Sequence, residues 1–236
     1  MNASPLPNFW ALIPAAGVGS RMAADRPKQY LELAGRTIIE HSLACFLGHP
    51  QLLGVVVSLA ADDPYWPNLA CARDPRIRRA EGGRERADSV LNGLLRLSEL
   101  GAQERDWVLV HDAARPNLAR SDLDLLLAEL ADDPVGGLLA VPARDTLKRA
   151  GADGRVLATV DRAPIWQAYT PQMFRLAELQ RALADALLAG VAITDEASAL
   201  EWAGQAPRLI EGRGDNLKVT RPEDLLSLRR LWQANS

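Results

Sequence analysis

What most limits the fold of this chain is an alternation. Short, continuously apolar runs recur between stretches whose apolar residues repeat at helical spacing. Phe9 to Ile13, Gly54 to Ala60, Asp106 to Val110 and Val135 to Val141 each read as a strand. Continuous apolarity is what a strand covered on both faces requires. Between them lie amphipathic segments. Ile38, Ile39, Leu43, Phe46 and Leu47 share one face of Thr37 to Leu47, and Val90, Leu91, Leu94 and Leu97 share one face of Arg86 to Leu97. Ser121 to Leu130 carries Leu123, Leu126, Leu127 and Leu130, and Ser121 is suited to cap it. Further helices are predicted around Arg175 to Leu188, Asp195 to Trp202 and Pro222 to Trp232, with a strand at Pro207 to Ile210. This rhythm predicts an α/β fold, a mostly parallel sheet flanked by helices with right-handed crossovers.

One segment departs from the rhythm. Residues 145–162 read as two short strands about an Asp153-Gly154 turn. A hairpin with so few core residues is unstable alone. It needs a surface, either a second subunit or the sheet of its own chain. No internal repeat or low-complexity linker is visible, so residues 1–236 are expected to form a single domain from which this β-arm protrudes.

Charge and cysteine usage exclude several function classes. Lys and Arg number 27 against 30 Asp and Glu, a net charge of −3. Such a chain has no global field for polyanions, so nucleic acid is not an expected partner. Any phosphate must be held by a local pocket. Cys45 and Cys71 form no CxxC, and no His is spaced to join them on a metal. They read as small apolar fillers in a reducing cytosol. The N-terminal MNASPLPNFWALIPAAG lacks a basic segment, and no apolar run approaches the roughly 18 residues a bilayer span needs. A soluble, cytoplasmic protein without a membrane partner is expected.

Three loops concentrate the chemistry. Pro14 to Met22, PAAGVGSRM, follows the first strand and is soon followed by Pro27-Lys28-Gln29-Tyr30. Small residues let backbone approach a ligand, and free N–H groups there can cradle phosphate oxygens. Arg21 can fork onto two such oxygens, and Lys28 acts as a point charge. Two cations flanking a Gly loop fit a polyphosphate being cleaved. The dinucleotide fingerprint GxGxxG fails, because Gly19 is followed by Ser20, Arg21 and Met22, and the GxxxxGK[ST] loop is absent. The second loop, Glu81 to Ser89, pairs Gly82 and Gly83, against which a flat base could lie, with the Ser89 hydroxyl. Taken alone it reads more readily as a Gly turn followed by a salt-laced first helical turn. The third, His111 to Pro116, begins at a strand's carboxyl end, where ligands of open α/β sheets bind. Asp112 there can take ligand hydroxyls or face a metal–phosphate complex, and Arg115 can bind a phosphate. His111 reads as a satisfied buried imidazole. Later, Thr194-Asp195-Glu196 reads as a helix start, and Lys218 alternates with apolar Leu217 and Val219 beside a GRGDN turn.

The ordered set PAAGxGxRM, PKQY, GGxERxDSV, HDAARP, DTxKR, TPQ, TDEASALE and GRxDNxKVTRPED resembles the 2-C-methyl-D-erythritol 4-phosphate cytidylyltransferase family, from about Trp10 to Asp224. That family serves the non-mevalonate route to isoprenoids. The resemblance implies a Rossmann-like nucleotidyltransferase fold, and homodimers formed through a β-arm like residues 145–162. It implies Mg²⁺ and the joining of CTP to methylerythritol phosphate with release of pyrophosphate. By similarity, Ala15, Ala16, Gly17 and Gly19 hold the triphosphate. Gly82, Gly83, Ser89 and the backbone near Ala113 hold the cytosine. Arg21 and Lys28 stabilise the transition state. Lys218 and a partner subunit's copy of Arg162 position the acceptor phosphate. Asp112, Arg115, Thr146, Thr170 and Thr194 complete the acceptor set. Pro164, soon after Arg162, fixes φ and predicts a local path of its own there. Two other readings share these residues: a cytidylyltransferase for another polyol phosphate such as ribitol 5-phosphate, and a non-catalytic CTP-binding regulatory module.

Overall fold

A computed structural model describes residues 5–17 and 26–234, without the side chain of Ala234. Its centre is a seven-stranded sheet. In chain order the sheet strands are β1 (Phe9–Pro14), β4 (Leu52–Leu59), β5 (Ile77–Glu81), β6 (Trp107–Val110), β7 (Gly136–Pro142), β10 (Trp166–Arg175) and β11 (Arg208–Glu211). They lie side by side as β11-β7-β10-β6-β1-β4-β5. Every neighbouring pair is parallel except the two that involve β10.

The side chains of the sheet alternate between two covered faces. Ala11, Ile13, Val55, Val57 and Leu109 join one cluster, and Leu12, Val56, Val108 and Val110 join the other. The first cluster is completed by α1 (Ile38–Leu47) and α3 (Arg120–Leu130), the second by α2 (Arg86–Glu99), α4 (Leu176–Leu188) and α5 (Glu196–Trp202). Both sides of the central strands are thus removed from water, which is why they carry no polar alternation, whereas the edge strands β5 and β11 are largely exposed. A fully buried Leu or Phe contributes roughly 1.5–3 kcal/mol, so these layers dominate the stability. A third, smaller cluster seats α6 (Pro222–Ala234) near the hairpin of β2 (Glu32–Leu33) and β3 (Arg36–Thr37), through Leu33, Ile38, Val219, Leu225 and Leu228.

Several helices begin where the sequence provides caps, whereas α3 and α4 start without a side-chain cap. Thr37 and Glu40 form a capping box on α1, Asp195 accepts the Ser198 N–H at the start of α5, and Pro222 is the first residue of α6. Helix α3 starts at Arg120 on an uncapped Ala119, so Ser121 is a helical residue and not the expected cap. The Leu123 N–H already bonds the Ala119 carbonyl, which places the first turn one residue earlier.

The strand the sequence hid is β10. Proline cannot donate to a ladder, so Thr170-Pro171-Gln172 argues against a strand. The structure accommodates it because pairing with β7 lapses between Ala168 and Gln172. The 145–162 segment forms the antiparallel pair β8 (Leu147–Ala150) and β9 (Val156–Val160), hydrogen-bonded as a sheet of its own. Val156 and Leu157 on it are 62 % and 65 % exposed. After Arg162 the chain makes a tight turn, the Ile165 N–H bonding the Arg162 carbonyl, before entering β10.

Candidate active site

The chain runs outward from β1 through β4 to β5, then returns to place β6 on the other side of β1. That reversal opens a crevice at the carboxyl ends of β1 and β6, the place where open α/β sheets bind ligands. A cavity of about 350 Å³ occupies it. Its walls come from the loop after β1 (Pro14, Ala15, Ala16, Gly17), the turn carrying Lys28 and Gln29, the loop after β5 with the start of α2 (Gly83 to Arg86, Ser89), the loop after β6 (Asp112 to Ala114), and the late segment with Lys218 and Thr220.

Close approach between loops shapes these walls. A Cβ on Gly82 would lie 2.1 Å from the Ala16 Cβ, and one on Gly83 would lie 2.1 Å from the Asp88 Cβ. No larger residue fits at either position without moving the loop after β1 or the start of α2. The Gly83 N–H donates to Ser89 Oγ at 3.0 Å, and that hydroxyl donates to the Glu85 carbonyl. Ser89 therefore fixes the Gly-Gly loop against the start of α2. Gly82 itself lies just behind the cavity wall.

Asp112 is the electrostatic centre. Its Oδ2 lies 2.8 Å from Lys218 Nζ and 3.3 Å from Arg115 Nε, and its Oδ1 lies 3.2 Å from Arg86 Nε. Arg86 then reaches Glu196 with both terminal nitrogens, at 2.6 and 3.2 Å. Burial opposes the charge on Asp112, but Arg86, Lys218 and Arg115 outweigh it and hold the carboxyl well below the usual range. For Arg86 burial again opposes the charge, and Glu196 and Asp112 more than compensate, so it stays protonated.

Beneath Asp112, His111 is fully buried, with Nε2 facing the Arg115 carbonyl at 3.0 Å and Nδ1 facing Thr170 Oγ1 at 2.9 Å. Burial lowers its pKa to about 4, so it is neutral, as expected of a structural imidazole. Both cysteines are partly buried against the core, and burial pushes their thiols up to about 11 for Cys45 and about 12 for Cys71. They are inert fillers.

The predicted site residues divide into three groups. Ala15, Ala16, Gly17, Lys28, Gly83, Ser89, Asp112, Ala113 and Lys218 meet at the cavity. Gly19 and Arg21 lie outside the described residues. The remaining residues do not reach the wall within one chain. Arg115 is buried behind it, donating to the Asn216 carbonyl and stacking on Tyr169, so it braces Asp112 and is not open to a phosphate. Thr170 is buried below, its oxygen accepting the Asp112 N–H. Thr146 is exposed at the root of the arm and Thr194 is exposed just before α5. Arg162 is exposed at the base of the arm, its guanidinium donating to the Arg144 carbonyl. Arg86 and Glu196 were not singled out from sequence as site residues. The signal for Arg86 is its place as the first helical residue after the Gly-Gly loop, but its partner lies far away in the chain.

The sequence matches the family model of 2-C-methyl-D-erythritol 4-phosphate cytidylyltransferase over residues 9–231. The chain belongs to this family. Cytidylyltransferases of that name from Pseudomonas putida (strain W619) and Pseudomonas fluorescens (strain SBW25) are 77 % and 78 % identical to it, over 96 % of this chain and 97 % of theirs. A crystal structure of 4-diphosphocytidyl-2C-methyl-D-erythritol synthase superposes with a TM-score of 0.83 at 42 % identity, covering 96 % of this chain and 99 % of that one. The Francisella tularensis cytidylyltransferase gives a TM-score of 0.81 at 35 % identity, with the same coverage. Among the described residues, the cytidylyltransferase fold here has no helix long and apolar enough to cross a membrane.

Proposed function

We propose that this protein transfers the cytidylyl group of CTP to 2-C-methyl-D-erythritol 4-phosphate, giving 4-diphosphocytidyl-2-C-methyl-D-erythritol and pyrophosphate. The observation that carries the reading is the convergence of Lys28, Arg86 and Lys218 on the cavity that the loop after β1 and the Gly82-Gly83 loop enclose. In this reading an oxygen of the acceptor phosphate attacks the α-phosphorus. The new P–O bond forms as the bond to the β-phosphate oxygen breaks, and pyrophosphate leaves with that electron pair. The attacking oxygen is already anionic, so no general base is required. The residues have to bring two polyanions together and stabilise charge on a crowded phosphorus, so positioning and electrostatics supply the rate. Lys28 and Arg21 serve the triphosphate side. Lys218, aimed by Asp112, serves the acceptor phosphate. Ser89 and the Gly82-Gly83 backbone serve the cytosine.

Mg²⁺ fits this pocket as an ion held mainly by the nucleotide. Among the described residues no group of three His, Cys, Asp or Glu could cage a metal, and Asp112 is the wall carboxylate placed among the phosphate-binding cations. Mg²⁺ commonly takes one or two carboxylates plus substrate phosphates, and it supplies charge neutralisation there. The exposed arm, with the bare Val156 and Leu157 side chains on it, suits a homodimer. Arg162, exposed on the arm and away from its own cavity, then serves the partner's site. The two free cysteines, Cys45 and Cys71, suit a reducing cytoplasm. A pyrophosphate-release assay with CTP, Mg²⁺, methylerythritol phosphate and ribitol 5-phosphate tests the reading. Preference for ribitol 5-phosphate would overturn the acceptor. CTP binding without pyrophosphate release for any acceptor would overturn catalysis.

A further inference from the structure

The residue after Lys28 carries an inference that rests on this reading and extends it. Gln29 is 3 % exposed, and its Nε2 donates to the Ala15 carbonyl at 2.7 Å and to the Gly17 carbonyl at 3.2 Å. A side-chain amide has two N–H bonds, so one group serves both carbonyls. In a planar trans peptide the C=O and the following N–H point opposite ways. Holding the Ala15 carbonyl towards Gln29 therefore turns the Ala16 N–H away from it. Gln29 thus decides which way the backbone of the loop after β1 presents its donors.

The same turn ties this loop to a cation. Lys28–Tyr30 is a 3₁₀ turn, with three residues per turn, so successive side chains leave in three directions. Lys28 goes to the cavity wall and Gln29 to the loop. Tyr30 goes into the core, where its hydroxyl donates to Asp63 at 2.7 Å and its ring stacks on Tyr65 with centroids 5.0 Å apart. Tyr30 anchors the turn, and the turn holds both the loop and Lys28.

We propose that Gln29 is a positioning residue for the triphosphate: its amide locks the loop after β1 in the anion-binding conformation and registers that loop against Lys28. Lys28 acts on the phosphates by charge; Gln29 acts by fixing the backbone that meets them.

The test is a set of binding measurements on the full-length protein. Gln29→Met removes both donors at similar length. Gln29→Glu keeps the shape and sets acceptors against acceptors. Calorimetric titration with Mg²⁺ present would compare CTP, inorganic tripolyphosphate and cytidine. CTP and tripolyphosphate should weaken together by about tenfold or more, as when the outer partner of a metal ligand is removed. Cytidine binding should not change, and in turnover kcat should fall while the acceptor KM stays constant. Unaltered CTP and tripolyphosphate affinity, in a variant that melts as the parent does, overturns the proposal. Equal weakening of all three ligands also overturns it, because it marks a general structural loss. If Gln29→Met does not fold, Gln29→Glu decides the matter by the same criteria. A parent protein that binds CTP yet turns over no acceptor would sink the activity reading and leave this test standing.

Discussion

Lowering the pH should destabilise this protein through His111, and the size of the effect follows from the environment of the ring. The Arg115 carbonyl can only accept, so His111 Nε2 carries the proton that faces it. The Thr170 hydroxyl donates to Nδ1 while its oxygen accepts the Asp112 N–H. A second ring proton, on Nδ1, meets the Thr170 oxygen only if that hydroxyl turns its own proton away. Burial lowers the native pKa from 6.5 to about 4, so between those values the unfolded chain binds more protons than the folded one. The stabilisation is present above the unfolded pKa and is lost as pH falls through that window. At about pH 5, roughly 1.5 units into it, the loss is about 2 kcal/mol, at 1.36 kcal/mol per unit. Urea unfolding at about pH 7.5 and about pH 5, at fixed ionic strength, measures it. Burial also lowers the pKa of His49, which adds a fall of the same sign, so the comparison must be with His111→Gln. Glutamine can donate to one partner and accept from the other but does not titrate. The parent should lose about 2 kcal/mol more than the variant between the two conditions. If the two profiles run parallel within about 0.5 kcal/mol, the buried neutral imidazole is not what the native state depends on.

Other outcomes can be checked on the same preparation. Gly82→Ala sets a methyl against Ala16 and should destabilise by about 1–3 kcal/mol, with weaker CTP binding, measured by urea unfolding and nucleotide titration. Lys28→Ala should lower kcat by roughly 10²–10³ with a smaller change in CTP affinity, because its charge acts mainly on the transition state. Equal losses in both would mark uniform binding instead. Arg162→Ala and Lys218→Ala, each inactive alone, should regain activity when mixed and allowed to exchange subunits. No recovery in mixtures shown to have exchanged would rule out a shared site.

The parts of this molecule legible from sequence were those where burial dictates composition. β1, β4, β6 and β7 lie in the sheet with helices over both faces, so their residues had to be continuously apolar. The loops following β1 and β6 were legible because small residues and an acid at strand ends serve few purposes besides ligand binding. β10 was hidden because a local break in pairing, invisible in sequence, tolerates Pro171. Arg115 was read as a phosphate ligand because sequence shows a guanidinium but not the buried Asn216 carbonyl that claims it. The bridge from Arg86 to Glu196 joins residues 110 positions apart, and no local spacing rule reaches that far.

The charge arrangement around Asp112 bears on how the site empties. Arg86, Arg115 and Lys218 face Asp112 and Glu196, so three positive groups share two negative ones. This cluster offers an arriving phosphate a surplus of a single positive charge beside Lys28, and a departing product leaves Arg86, Arg115 and Lys218 with their carboxylate partners. Internal counterions of this kind moderate the grip on polyanions, so that a pocket built to seize them also lets them go.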